Sequence, residues 1–378
     1  MKRSQLFLSF ALLILVSGVL HAQAPRPGYV LQFSDDFTGD TVDTTRWNYR
    51  TDAKGHSIQL PANVTVTAGK LIVTPKKQSF AGMDFTGGGI VSKASFRYGY
   101  YQVDAQTIAD TGWHSSFWVM AGDGSTTYPM ESRTEIDDFE IEGAEPEKIS
   151  MRILIWKDKK NLGSIRCNRS YSPGYSTAAS MHRYGFEWTE SDITYYLDGK
   201  QICSQPYPAT EGTHDLVHLW LTAMAYKAPV QASGHSPATF AYLRYYIRDY
   251  YIGAEEPGYA EYGSGWSDGN IGGYSNLATR HSCSADAIAV WSPTILQAGN
   301  YDVQLWSVHS PSSSDGAATA TVTHQKGQTS KSIAAGQGSV GWFDLGTFAF
   351  DKGAAGSLSL RSEKGGCVDT SMVKFVRQ

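Results

Sequence analysis

Almost nowhere in this chain of 378 residues do apolar side chains recur at the three-to-four-residue spacing of a helix. Short segments rich in Val, Ile, Tyr, Phe and Thr recur instead, separated by Gly, Asn, Asp and Pro. Strand side chains point alternately to two faces, so such a chain buries its apolar residues only by facing one sheet with another. The expected class is all-β, a sandwich or barrel. The 38 Gly, 22 Tyr and 10 Trp beside 18% charged residues fit turn-rich sheets with aromatic cores. The length exceeds what one hydrophobic core usually covers, so two domains are expected.

The first residues read as a signal peptide, 1–24. Lys2 and Arg3 precede an apolar run from Leu6 to Leu20, and Ala22-Gln23-Ala24 supplies small residues for cleavage. The run is short for a bilayer span of about 20 residues, and no stop-transfer flank follows. No cysteine follows the cleavage point, which argues against a lipid anchor. A secreted or periplasmic protein is expected, without a membrane association after cleavage. Losing Lys2 and Arg3 takes the net charge from -4 to -6. A mildly acidic chain without Lys/Arg runs suits neither nucleic acid nor an anionic membrane. A monomer acting on a substrate that is neutral, or anionic only in places, is expected. The four cysteines fall into two halves of the chain, and export favours disulfides. The expected pairs are Cys167–Cys203 and Cys283–Cys367; zinc is the rival, but no CxxC spacing supports it.

Strand-like text runs from about Val30 to Ile252, and Glu255-Glu256-Pro257-Gly258 then interrupts regular structure. Beyond Tyr259 the texture turns to Gly, Ser and Ala. Strands are expected there at Ala287–Trp291, Tyr301–Val308, Ala318–His324, Trp342–Phe350, Gly356–Arg361 and Ser371–Val376. The division is placed at 25–256 and 257–378, the second unit a smaller β-sandwich.

Thr134 to Glu142 reads T-E-I-D-D-F-E-I-E. In a strand, Glu135 and Asp137 share one face while Ile136 takes the other. One extra residue near Asp138-Phe139, a β-bulge, would bring Glu140 and Glu142 to the side of Glu135 and Asp137. Without it, the shared set would be Asp138, Glu140 and Glu142. Clustered carboxylates favour keeping one protonated, and glycoside hydrolysis needs one ionised carboxylate and one protonated acid. Four effective strand steps set the Glu135 and Glu140 Cα atoms about 13 Å apart. Inward-leaning side chains then reach either the retaining or the wider inverting separation. A solvated acidic face or calcium site is the bland alternative; alternation with Ile and Phe favours catalysis.

From about Phe33 to Ile252 the chain resembles glycoside hydrolase family 16. The resemblance rests on Phe33-Ser34-Asp35-Asp36-Phe37-Thr38-Gly39 with Asp43-Thr44-Thr45-Arg46-Trp47-Asn48, then Gly88-Gly89-Ile90-Val91-Ser92-Lys93 with Tyr98-Gly99-Tyr100-Tyr101. It continues in Tyr184-Gly185-Phe186-Glu187-Trp188-Thr189 and Tyr195-Tyr196-Leu197-Asp198-Gly199-Lys200. The acidic strand is similar to the family's bulged E-x-D-x-x-E form of laminarinase-like and agarase-like members. The resemblance implies a concanavalin-A-like jelly roll and a retaining endo-β-glycosidase. It implies Glu135 as nucleophile, Glu140 as general acid/base, and Asp137 as hydrogen-bond support to the nucleophile. The family's E-A-R is here Gln102-Val103-Asp104, and its W-P-A-F-W is the longer Trp113-His114-Ser115-Ser116-Phe117-Trp118. Trp220-Leu221-Thr222-Ala223-Met224-Ala225-Tyr226 replaces text common in laminarinases, which weakens a β-1,3-glucan assignment. Tyr245 stands where a calcium-ligating aspartate is common, which weighs against a structural calcium. No organic cofactor and no metal set among the ten histidines are expected.

Trp and Tyr lining a groove stack on the C–H faces of sugars. Substrate contacts are expected from Trp113, His114, Trp118, Trp188 and Glu142, with Trp156 a further candidate and His114 a helper of the acid pair. Trp47 reads as structural. Asn63-Val64-Thr65 and Asn168-Arg169-Ser170 match the glycosylation pattern. The second unit resembles golvesin C-terminal-like modules through Trp291-Ser292-Pro293, Ala298-Gly299-Asn300-Tyr301-Asp302-Val303, Trp342-Phe343-Asp344-Leu345-Gly346 and its last strand. It bears no paired acids, so it is expected to bind carbohydrate and tether the enzyme, or to cap it. The expectation is a secreted retaining endo-β-glycosidase on a β-glucan or β-galactan polysaccharide. A transglycosylase would use the same residues, and a non-catalytic lectin is the rival from another class.

Overall fold

A computed structural model of the protein describes residues 25–121, 133–157, 160–167, 170–210, 212–227, 236–308, 317–334, 340–363 and 366–378. The signal segment 1–24 and the sequon residue Asn168 lie outside the described residues. The protein is all-β, as its alternating segments imply. In the first part of the chain two sheets face each other. One is 8-stranded, with Gly99–Gln106 and Ala238–Ile247 at its centre and His182–Trp188, Asp192–Leu197 and Lys200–Pro206 stepping outward. The other is 9-stranded and runs Lys160–Arg166, Ser150–Lys157, Arg133–Glu142, Trp113–Met120, His218–Ala225, Phe85–Ser92, with short strands beyond. The acidic strand is therefore the third in space, flanked on both sides.

Alternation explains what the sheets bury. Tyr101, Val103 and Ala105 leave Gly99–Gln106 on one face, and Phe117 and Val119 leave Trp113–Met120 toward them. Aromatic contacts bridge the layers: Phe139 lies 4.2 Å from Tyr184 and Phe117 6.2 Å from Phe186 between ring centroids. The triple glycine Gly87–Gly89 inside a central strand has a steric cause. A Cβ on Gly89 would come within 2.5 Å of the Leu221 carbonyl oxygen.

Several expectations are refined by the structure. Tyr250–Ile252, which closes the first unit's strand text in the sequence, hydrogen-bonds along the final strand, with Tyr250 opposite Phe375. The chain thus leaves the first pair of sheets in the turn at Arg248-Asp249. Beyond it lie a 4-stranded, a 5-stranded and a 3-stranded sheet. The strand Gly327–Ala334 escapes sequence patterning because it pairs with Ala317–His324 alone and keeps its polar side chains exposed. Asn63 is buried and donates to Thr86 Oγ1 and the Gly87 carbonyl, both at 2.8 Å. The folded chain withholds it from glycosylation. Tyr245 is a core residue whose hydroxyl donates to the Tyr98 carbonyl at 2.8 Å, and Trp47 is buried with its indole N–H on Asp35 at 2.7 Å.

Cys167 is bonded to Cys203 and Cys283 to Cys367. The second crosslink closes a separation of 84 residues, which chain-entropy reasoning values at about 4.6 kcal/mol. Replacing Cys283 and Cys367 together by Ser is expected to lower the calorimetric unfolding temperature by several degrees. An unchanged unfolding profile would contradict this.

Candidate active site

The acidic strand carries one residue more than its neighbours. Against Trp113–Met120, Asp137 lies opposite Trp118 while Phe139 lies opposite Phe117. Against Ser150–Lys157, Asp137 lies opposite Arg152 and Glu140 opposite Ser150. Asp138 is the inserted residue. Its effect is visible in the core, where Ile136, Phe139 and Ile141 are all fully buried although a regular strand would send Ile136 away from the other two. The opposite face consequently gathers Glu135, Asp137, Glu140 and Glu142.

Contacts on that face tie the four acids together. The Arg152 guanidinium reaches Asp137 Oδ2 through Nε at 2.8 Å and also donates to Glu140. The indole N–H of Trp156 donates to Glu135 Oε2 at 2.5 Å. His114 is buried, with Nε2 at 3.6 Å from Glu140 Oε1 and Nδ1 at 3.2 Å from Glu142 Oε1. Lys227 reaches Glu142 at 3.1 Å. Burial first, then the neighbouring Asp137 charge, push the Glu135 carboxyl up to about 8 against the pull of Trp156 and Arg152. Burial also raises Asp137, opposed by Arg152, His114 and a hydrogen bond from Glu135. Burial thus favours the neutral form of both carboxyls. For Glu142 burial acts upward, but His114 and Lys227 outweigh it and hold the group below its ordinary range.

Cross-strand register extends the site sideways. Asp137, Trp118 and Trp220 stand in one row, and residues directly opposite in antiparallel pairs share a face. Trp118 and Trp220 stack at 4.5 Å. The buried Arg50 lies 5.5 Å from each of their rings, bonds Asp52 through Nε at 2.6 Å and a terminal nitrogen at 2.8 Å, and donates to Thr222 Oγ1 at 3.2 Å. The result is one partly exposed indole, Trp118, backed by the fully buried Trp220 and by a paired cation.

Of the residues singled out in the sequence, Glu135, Asp137, Glu140, Glu142, His114, Trp118 and Trp156 come together. Trp113 and Trp188 do not. Trp113 is fully buried, edge-on to Phe85 at 5.8 Å, because its place in the strand faces the core while His114 faces outward. Trp188 belongs to the opposite sheet and is enclosed by Tyr98 and His214. Neither indole reaches a sugar. Arg152, Trp220, Arg50 and Asp52 were not foreseen; only the register brings them here. Asp138 itself is buried, with Oδ2 lacking a hydrogen-bond partner, and burial raises its carboxyl far above the usual range.

Residues 44–225 match the family model described as Glycosyl hydrolases family 16, and residues 255–377 that of the Golvesin C-terminal domain. A β-glucanase of Acetivibrio thermocellus is 27% identical over 255 residues, covering 65% of this chain and 73% of that protein. An endo-1,3-1,4-β-glycanase of Rhizobium meliloti is 28% identical over 197 residues, 49% of this chain and 40% of its own length. Among solved structures, porphyranase B of Zobellia galactanivorans superposes with a TM-score of 0.51 at 19% identity, over 60% of this chain and 96% of that one. At that identity the likeness bears on the fold.

The raised Glu135 carboxyl has a measurable consequence. Folding lifts Glu135 from 4.5 to about 8, so between those values the folded state binds more protons than the unfolded one. Stability then falls as pH rises through this window. The unfolding temperature of the wild type is expected to drop between pH 5 and pH 8, and Glu135→Gln to flatten that slope. Parallel profiles for the two proteins would refute the raised Glu135 carboxyl.

Proposed function

The chain carries a glycosyl hydrolase family 16 domain over residues 44–225 and is a glycoside hydrolase, and on that premise we propose that it is a retaining endo-β-glycosidase acting on a β-glucan or β-galactan. One observation carries this reading: the bulge at Asp138 sets Glu135 and Glu140 on the same face, joined through Asp137 and Arg152. Retaining hydrolysis needs two carboxyl groups about 5–5.5 Å apart, one ionised and one protonated.

In the proposed mechanism Glu135 attacks the anomeric carbon while Glu140 protonates the departing oxygen, giving a covalent glycosyl–enzyme. Water, deprotonated by Glu140, then releases the sugar with its configuration retained. Glu135, held toward its neutral form by burial, must give up its proton to solvent before attack, and the Trp156 hydrogen bond and the Arg152 charge favour that ionised state. Trp156 donates to Glu135, which presets the aim of its carboxylate. Arg152 balances the charge of Asp137 and Glu140 and keeps several acids tolerable in a partly buried site. Trp118 offers an indole surface beside these groups, and sugars stack on such faces. Relatives named for β-glucans support the glucan side. The text Trp220–Tyr226, which departs from that common in laminarinases, supports the galactan side. The leader-like segment and two disulfides support action outside the cytoplasm.

Reducing-end release from laminarin, lichenan, agarose and carrageenan tests the activity. At least one polymer is expected to be cut, and Glu135→Gln and Glu140→Gln to lose at least about 100-fold in rate while retaining binding. Tight binding without cleavage of any polymer would point to a lectin. Normal turnover in either variant would remove that residue from its role.

A further inference from the structure

Thr134 immediately precedes Glu135, is fully buried, and is held by groups outside its own sheet. Its hydroxyl donates to the Thr213 carbonyl at 2.7 Å, which leaves it to accept from the Tyr207 hydroxyl at 2.5 Å. Its backbone N–H donates to the Asp215 carboxylate at 3.3 Å. The start of the acidic strand is thus fixed by the segment 212–215.

That segment is gripped in turn from the second sandwich. The His214 N–H donates to Ser275 Oγ at 2.8 Å, and the Ser275 hydroxyl donates to the Gly212 carbonyl at 3.3 Å. The His214 carbonyl accepts from Arg97 Nε at 2.7 Å, and the buried Arg97 guanidinium is engaged by both oxygens of Glu256 at the junction. A chain of side-chain hydrogen bonds runs beside these. Lys374 holds the Glu190 carboxylate at 2.8 Å, and Tyr274 donates to that carboxylate at 3.0 Å. A carboxylate accepts, so the order follows: Tyr98 donates to Tyr274 at 2.6 Å and His214 Nδ1–H donates to Tyr98 at 2.7 Å. This assigns the proton to Nδ1 and leaves Nε2 bare, matching its lack of a partner. Burial, then the Arg97 charge, lower His214 to about 3, so the ring stays neutral. Ser275 and Asn276 hold positive φ of 52° and 58°, a backbone state disfavoured for residues with side chains and retained where surroundings demand it.

We propose that the second sandwich is a positioning element for catalysis: Tyr274 and Ser275 hold segment 212–215, which holds Thr134 and, through it, the aim of Glu135. The proposal rests on the reading of Glu135 as the nucleophile. It differs from a tethered binding module, because a tether works by loose linkage, whereas here a buried ion pair and a directed hydrogen-bond chain cross the junction. Misplacement of a reacting group by about 1 Å costs on the order of 100-fold in rate, so loosening one anchor is readable in turnover.

The test is a double-mutant cycle in the full chain with Ser275→Ala and Thr134→Val, assayed on whichever of laminarin, lichenan, agarose and carrageenan the wild type cuts fastest. Each single variant is expected to lower kcat about tenfold with KM within about twofold, a fraction of the cost of full misplacement. The double variant is expected to be no slower than the slower single, since both break one path. Thr134→Ser, which keeps the hydroxyl, is expected to restore the kcat lost in Thr134→Val. Additive losses, or an unchanged kcat in Ser275→Ala, would overturn the proposal. If Ser275→Ala does not fold, Tyr274→Phe takes its place in the cycle with the same criteria. Glu135→Gln is run alongside: full activity there sinks the nucleophile reading, whereas an inactive Glu135→Gln with additive losses sinks the clamp alone.

Discussion

A β-strand repeats every two residues, and two facing sheets leave no freedom over which side of each strand is apolar. In Arg133–Glu142 those requirements conflict with placing Glu135, Asp137 and Glu140 together, and the insertion of Asp138 resolves the conflict. Ile136 before it and Phe139 and Ile141 after it all enter the core. The acids before and after it all leave on the other side. Pairing continues on both edges of the bulge, so the neighbouring strands hold the irregularity in place.

Gathering like charges on one partly buried face is unfavourable unless protons and cations offset it. Three devices do so here. Burial holds Glu135 and Asp137 toward their neutral forms, Arg152 spans Asp137 and Glu140, and His114 with Lys227 face Glu142. The same devices orient the carboxyl groups, so charge balance and aim come from one network. Its supports lie far apart in sequence. Arg50 and Thr222 are 172 positions apart, and Thr134 rests on a segment that the second sandwich grips.

What the sequence conveyed and what it hid divide along a physical line. The acidic strand and its kink were legible because acids alternating with Ile and Phe leave a one-residue slip in the pattern. The disulfides were legible because the cysteines fall into separate halves. Aromatic roles were not: Trp113 and Trp118 occupy one strand five residues apart, and only the orientation of that strand decides which is core. Trp188 shows the same ambiguity. Arg152, Trp220 and the Arg50–Asp52 pair depend on register between strands, which local text does not encode. The pairing of Tyr250–Ile252 with the final strand is equally non-local.

Glu135 and Glu140 share one face of the strand, and the proposed covalent, retaining chemistry needs their carboxyl groups about 5–5.5 Å apart. Proton NMR of freshly cleaved oligosaccharide reads this before mutarotation scrambles the new reducing end. The account predicts that the first anomer to appear has the β configuration of the bond that was cut. Initial appearance of the α anomer would contradict it, because water would then have attacked directly across a wider gap.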